Sequence, residues 1–159
     1  VVTNLQRRLM PIIRYPVGDC GEWMDEEGTP SRRFRLLGRT EEGARIGPMS
    51  LYVDDVRQAL NELEQSSTPF GLKNFQMVID HHDQRDECSL RIAVSEPSQR
   101  TSEDAQRVVE TLFAARPMFR DLVDQQLVHE LNVQWVALDE LQSNARTGKL
   151  VRVLDRRLG

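Results

Sequence analysis

Apolar positions along the chain change period near residue 40. Before it they come in short runs, Val1 to Leu5, Met10 to Tyr15 and Phe34 to Leu37, broken by Pro16, Gly18, Gly21 and the polar stretch Met24 to Arg33. Runs of this length bounded by Gly and Pro predict short β-strands. A few such strands cannot bury their own faces, so the segment is expected to be an edge piece of something larger. Beyond residue 40, helical and strand periods alternate. Val53, Val56, Ala59, Leu60 and Leu63 recur at helical spacing, and Asp54 and Asp55 lie in the first turn, where the helix dipole favours negative charge. This predicts a helix over 53–65. Phe75 to Ile79 and Ser89 to Val94 read as two strands, and the polar link His81 to Asp86 between them predicts an antiparallel hairpin at the centre of a sheet. Thr101 to Asp104 resembles a capping box, and Ala105, Val108, Val109, Leu112 and Phe113 then mark one buried helix face. Pro117 ends that helix and opens another, with Met118, Phe119, Leu122 and Val123 on its apolar side. Leu131, Val133, Trp135 and Ala137 alternate with Asn132, Gln134 and Val136 as in a half-buried strand. Together these elements predict an α+β fold, a small sheet with helices packed on one face.

Composition bounds this picture without redirecting it. A chain of 159 residues, 39% hydrophobic and 29% charged, has the size of one ordinary domain with a small appendage. A net charge of -4 supplies no global field for nucleic acid or an anionic membrane, so neither is expected as a partner. Cys20 and Cys88 are far apart and lack any CxxC or Cys/His ligand spacing, which predicts neither a disulfide framework nor a zinc site and favours a reduced, cytoplasmic compartment. No apolar run approaches a membrane span, and the start at Val1 to Leu5 has neither methionine nor a leader pattern. The expectation is a piece of a longer chain.

Three stretches, in this order, carry a family likeness: Pro11-Ile12-Ile13-Arg14-Tyr15-Pro16-Val17-Gly18-Asp19; Leu37-Gly38-Arg39-Thr40-Glu41-Glu42-Gly43-Ala44-Arg45-Ile46-Gly47, running on to Tyr52 and Val56; and Asn144-Ala145-Arg146-Thr147-Gly148-Lys149 through Arg157. They resemble the late core motifs of the acyl-adenylate-forming ligases, of the phenylacetate-CoA ligase type. The resemblance implies that residues 1–39 are the terminal strands of a large amino-terminal domain and 40–159 a mobile small carboxy-terminal domain. It implies roles as well. Asp19 would accept hydrogen bonds from the ribose hydroxyls of ATP, which suits an ionised carboxylate with paired acceptors. Arg39 would contact the nucleotide through its planar donors. Glu41 would be the hinge, where the family usually has aspartate, and Gly43, Ala44, Arg45, Ile46 and Gly47 would line the acceptor thiol's tunnel. Lys149 would bridge the carboxylate substrate and the α-phosphate during adenylation, a task for an ammonium on a flexible stem.

Each of these residues has a plainer reading by itself: Gly-Asp after a strand is a turn, Arg and Glu beside glycine a surface salt bridge, Thr-Gly-Lys a solvated loop. Their order in one chain favours the functional reading. The histidines do not gain in this way. His81-His82-Asp83 lacks a third and fourth ligand in view, so a solvated turn is expected and no metal is assigned. Trp23 and Trp135, Met118 and Phe119, and Cys88 read as packing residues.

By the resemblance, the whole enzyme would condense a carboxylic acid, aromatic by type, with ATP and Mg2+, both held mainly by the amino-terminal domain, and pass the acyl group to coenzyme A. The chain alone would be inactive, with its own amino-terminal domain as first partner. The alternatives are transfer to an amine or carrier protein in secondary metabolism, or a non-catalytic binding module.

Overall fold

The computed structural model describes the backbone of residues 2–4, 12–15, 19–25, 28–39 and 42–157, and the side chains of 24, 25, 28–35 and 42–157. The chain forms two compact units, Val1–Glu41 and Glu42–Gly159.

In the first unit, β1 (Val2–Asn4) pairs antiparallel with β2 (Ile12–Tyr15), and β3 (Asp19–Trp23) pairs antiparallel with β4 (Phe34–Arg39). The apolar pattern did not reveal β3, because Gly21 and Glu22 interrupt it. The ladder passes this point through an irregularity between Cys20 and Gly21. The long connection from β3 to β4 is closed by Asp25, whose carboxylate accepts the Arg33 amide at 2.7 Å and its guanidinium at 2.8 Å.

The second unit is built on a four-stranded sheet in the order β10-β7-β8-β9. The strands β7 (Leu72–His82) and β8 (Arg85–Val94) form the expected antiparallel hairpin at its centre. They run further than their apolar stretches. Asp80, His81 and His82 pair with Glu87, Asp86 and Arg85, and only Asp83 and Gln84 turn, at φ 48° and 60°. Two consecutive positive φ values give the turn whose twist matches the strands, so the ladder persists to its tip. The strand β9 (Asn132–Val136) lies parallel to β8, and β10 (Val153–Asp155) parallel to β7. Three residues among arginines gave no sequence signal for β10.

The helices α1 (Val53–Glu64), α2 (Ser102–Ala115) and α3 (Pro117–Asp124) match the periodicity. Thr101 caps α2 reciprocally: its hydroxyl accepts the Asp104 amide at 3.2 Å, and the Asp104 carboxylate accepts the Thr101 amide at 3.1 Å. Among the described residues no helix is long and apolar enough to cross a membrane. Phe75, Met77 and Ile79 of β7 and Cys88, Leu90 and Ile92 of β8 are buried against Val56, Leu60, Val108, Leu112 and Phe119. Each large side chain so buried contributes about 1.5–3 kcal/mol. Burial pushes the Cys88 thiol up to about 12, so it packs as a hydrophobe. A second hairpin, β5 (Gly43–Ile46) and β6 (Met49–Tyr52), adds Ile46, Met49 and Leu51 to the same core.

Strand alternation sends Gln76, Val78 and Ala93 to the other face, yet all three are buried. Among the described residues no helix covers them there. Leu141 and Leu150 pack with Ala93 and Val136, so the segment from 141 to 152 straps this face.

Candidate functional site

The strap folds back on itself at Asn144. Its Oδ1 accepts the amides of Arg146 at 3.0 Å and Thr147 at 3.1 Å, and its carbonyl accepts those of Thr147 at 3.2 Å and Gly148 at 2.8 Å. An asparagine that captures the next amides is a turn former in its own right. Gly148 takes φ +66°, and the Asn144 amide closes the turn on the Lys149 carbonyl at 2.8 Å. Ser143 and Leu150 bridge antiparallel at its base. Lys149 is thus exposed at the foot of a short, hydrogen-bonded hairpin, and among the described residues no carboxylate pairs with it. An unpaired ammonium in that position can receive an anion from elsewhere.

Residues 43–47 are not an open loop. Gly43 to Ile46 form β5, and Gly47, at φ +55°, turns into β6. Ala44 and Ile46 are 7% and 0% exposed and face the core. The alternation leaves Arg45 exposed, with the backbone of Gly43 and Gly47 beside it. At Gly43 a Cβ would stand 2.6 Å from the Leu51 carbonyl oxygen, so no side chain fits.

Asp86 pins this turn. Its carboxylate accepts the Gly47 amide at 2.8 Å, the His81 ring nitrogen at 2.7 Å and the Arg157 guanidinium at 2.8 Å, while Arg157 also reaches the Arg45 carbonyl at 2.8 Å. Partial burial raises the Asp86 carboxyl, but the Gly47 amide, His81 and Arg157 together outweigh it and hold the group below its ordinary value. Asp155 in turn holds Arg157 in its charged form.

The two hairpins lie on opposite faces of the sheet. Ile46, Met49 and Leu51 pack on the side of Met77 and Ile79, whereas the Lys149 hairpin rests on the side of Gln76 and Ala93.

Asp19 and Arg39 belong to the first unit, where they are register partners across the β3/β4 ribbon. Glu41 lies outside the described residues.

His82, Asp83 and His129 bring three ligating atoms within 4.8 Å of one another. The two imidazoles stack at 4.1 Å with 13° between their planes. An ion must lie near the plane of each ring that binds it, and two nearly parallel planes so far apart do not converge on one point. His129 had no sequence signal because 47 positions separate it from His82. Asp86 and Arg157 gave none either, since an ion pair between positions 71 apart is not encoded by spacing. For Gln76 there was one: a lone amide within the apolar run Phe75 to Ile79.

No protein-family model and no curated protein matches the sequence. Among solved structures, 2-hydroxyisobutyryl-CoA ligase in the postadenylation state with R3-HIB-AMP is similar at a TM-score of 0.51 and 21% identity, over 93% of this chain and 30% of that one. A domain of phenylacetate-coenzyme A ligase from Bacteroides vulgatus ATCC 8482 is similar at a TM-score of 0.45 and 17% identity, over 73% of this chain and 93% of that one. The chain therefore spans under a third of the hydroxyisobutyryl-CoA ligase. The chain shares its fold with the part of that ligase it covers.

Proposed function

We propose that this chain is the carboxy-terminal part of an AMP-forming acid–thiol ligase that activates a carboxylic acid, aromatic by its resemblance, and transfers it to coenzyme A. In the first half-reaction a carboxylate oxygen attacks the α-phosphorus of ATP, the bond to the bridging oxygen breaks, and pyrophosphate leaves an acyl-AMP. Negative charge grows on the phosphate oxygens, and the Lys149 ammonium stabilises it there while holding the acid's carboxylate in line. Asp19 binds the ribose hydroxyls and Arg39 the nucleotide. In the second half-reaction the coenzyme A sulfur attacks the acyl carbonyl and AMP leaves.

The observation that carries this reading is the exposed, unpaired Lys149 on the sheet face opposite the β5/β6 hairpin. Two surfaces on opposite faces suit two half-reactions, with rotation near Glu41 presenting each in turn. Arg45 and the backbone of Gly43 and Gly47 would then meet the thiol. ATP's Mg2+ belongs to the remainder of the ligase. The same remainder holds the adenine and acyl pockets, so this chain does not adenylate by itself.

The test is acid-dependent ATP–pyrophosphate exchange by the full-length ligase, with a panel of aromatic and aliphatic acids, in wild type and Lys149→Ala. Exchange should fall on the order of 100-fold or more in the variant, while thiolysis of supplied acyl-adenylate survives. Exchange with no acid at all, or equal exchange in both proteins, removes the assignment. Transfer to an amine or carrier protein instead of coenzyme A is read in the same assay's second step.

A further inference from the structure

Gln76, at the middle of β7, is 0% exposed. Its Nε2 donates to the carbonyl oxygens of Gln142 at 3.0 Å and Val151 at 2.6 Å, and its Oε1 accepts the Gln142 amide at 3.3 Å. Gln142 and Val151 stand on the two legs of the Lys149 hairpin, and they are joined to each other by the Val151 amide and the Gln142 carbonyl at 3.1 Å. One side chain therefore ties both legs to the sheet and to one another. Both of its amide hydrogens and its oxygen are used, which is the whole capacity the task needs.

Other side chains of similar size fail for definite reasons. Leucine offers no hydrogen bonds and takes the side-chain partner from the part-buried Gln142 amide and Val151 carbonyl. Glutamate keeps an acceptor for the Gln142 amide, but its oxygens face two carbonyls that need a donor. The outgoing leg has further support beyond Val151: the Met77 amide donates to the Arg152 carbonyl at 2.8 Å, and the Arg152 guanidinium donates to Asn74 and to the Phe75 carbonyl at 3.1 Å. Gln76 is what brings the incoming leg into the same frame.

We propose that Gln76 is a positioning residue for adenylation: it fixes the base of the hairpin and so the point at which the Lys149 ammonium is presented. This rests on the role assigned to Lys149 above. Displacing a reacting group by about 1 Å costs on the order of 100-fold in rate, so a loosened base should be felt in one half-reaction and not the other.

The experiment uses the full-length ligase with Gln76→Leu and Gln76→Glu, each alone and combined with Lys149→Ala. Pyrophosphate exchange and thiolysis of supplied acyl-adenylate are measured separately. In Gln76→Leu the exchange kcat is expected to fall about 10- to 100-fold with KM for ATP and acid nearly unchanged. Thiolysis should stay at the wild-type rate, which also reports that the variant is folded. In the Lys149→Ala background, Gln76→Leu should cost nothing more, because the group it positions is gone. Equal losses in both half-reactions, or an undiminished further loss in that background, overturn the proposal while leaving Lys149 in place. No loss in Lys149→Ala by itself overturns the reading of Lys149 instead. Should neither Gln76 variant fold, native-state amide exchange of the wild type decides: the Gln142 amide, which Gln76 accepts, exchanges slowly if the tie holds the hairpin, and at the free rate if it does not.

Discussion

Asp86 accepts the Gly47 amide at 2.8 Å although 39 positions separate them, and this one bond joins the tip of the β7/β8 hairpin to the β5/β6 turn. The carboxylate's side chain is only 12% exposed, and His81 and Arg157 complete its shell. A charge held by three donors in a shielded place contributes more than an exposed surface pair. Asp86→Asn keeps the shape but turns an acceptor into a donor facing Arg157 and His81. It should lower stability by about 1.5–3 kcal/mol in thermal or urea unfolding.

The pH dependence follows from the same residue. The folded carboxyl lies below its ordinary value, so its contribution is complete above the unfolded pKa and fades as pH falls through the folded one. The wild type should therefore lose stability on acidification below about pH 4, and Asp86→Asn should lose less of it over the same range. Parallel acid titrations of the two proteins, followed by melting temperature, check this; identical slopes would detach Asp86 from the acid response.

Much of the fold was legible because it rests on period. Val53 to Leu63, Ala105 to Phe113 and the two central strands each show their buried face in the order of residues, and Thr101 and Pro117 mark the helix starts at their own positions. What escaped depends on partners distant in the chain. The strand β10 exists because β7 offers it an edge, and β3 because β4 pairs with it across a glycine. The site divides in the same way. Lys149 could be placed in a loop from its neighbours, but its tie to Gln76 spans 66 and 75 positions to the two legs, beyond the reach of any local pattern. The resemblance assigned Ala44 and Ile46 to a tunnel loop. Strand alternation turns them into the core.

Gly148 gives a sharper probe of the Lys149 hairpin than any substitution in the sheet. It sits at φ +66°, and a Cβ there would meet nothing within 4 Å, so strain would come from the backbone alone. Gly148→Ala should cost about 1 kcal/mol locally, within a turn that can relax without disturbing the core. The expected result is a melting temperature lowered by no more than about 2–4 °C, together with slower pyrophosphate exchange and intact thiolysis. A fall in both half-reactions would mean that the turn supports the domain rather than the lysine.

The register pairing of Asp19 with Arg39 leads to a test of the nucleotide assignment. Directly opposed positions on an antiparallel ribbon are near neighbours, so the two residues should act on one ligand as a unit if both serve ATP. Losing a charge-assisted hydrogen bond costs about 1.5–3 kcal/mol, equivalent to roughly a 10- to 100-fold rise in KM for ATP in Asp19→Ala or Arg39→Ala of the full-length ligase. If both serve one ligand, the double variant should fall short of the product of the two single effects. Full multiplication of the effects would assign the residues to independent contacts. Unchanged KM in both single variants would remove them from the nucleotide site and leave the ribbon a purely structural part of the first unit.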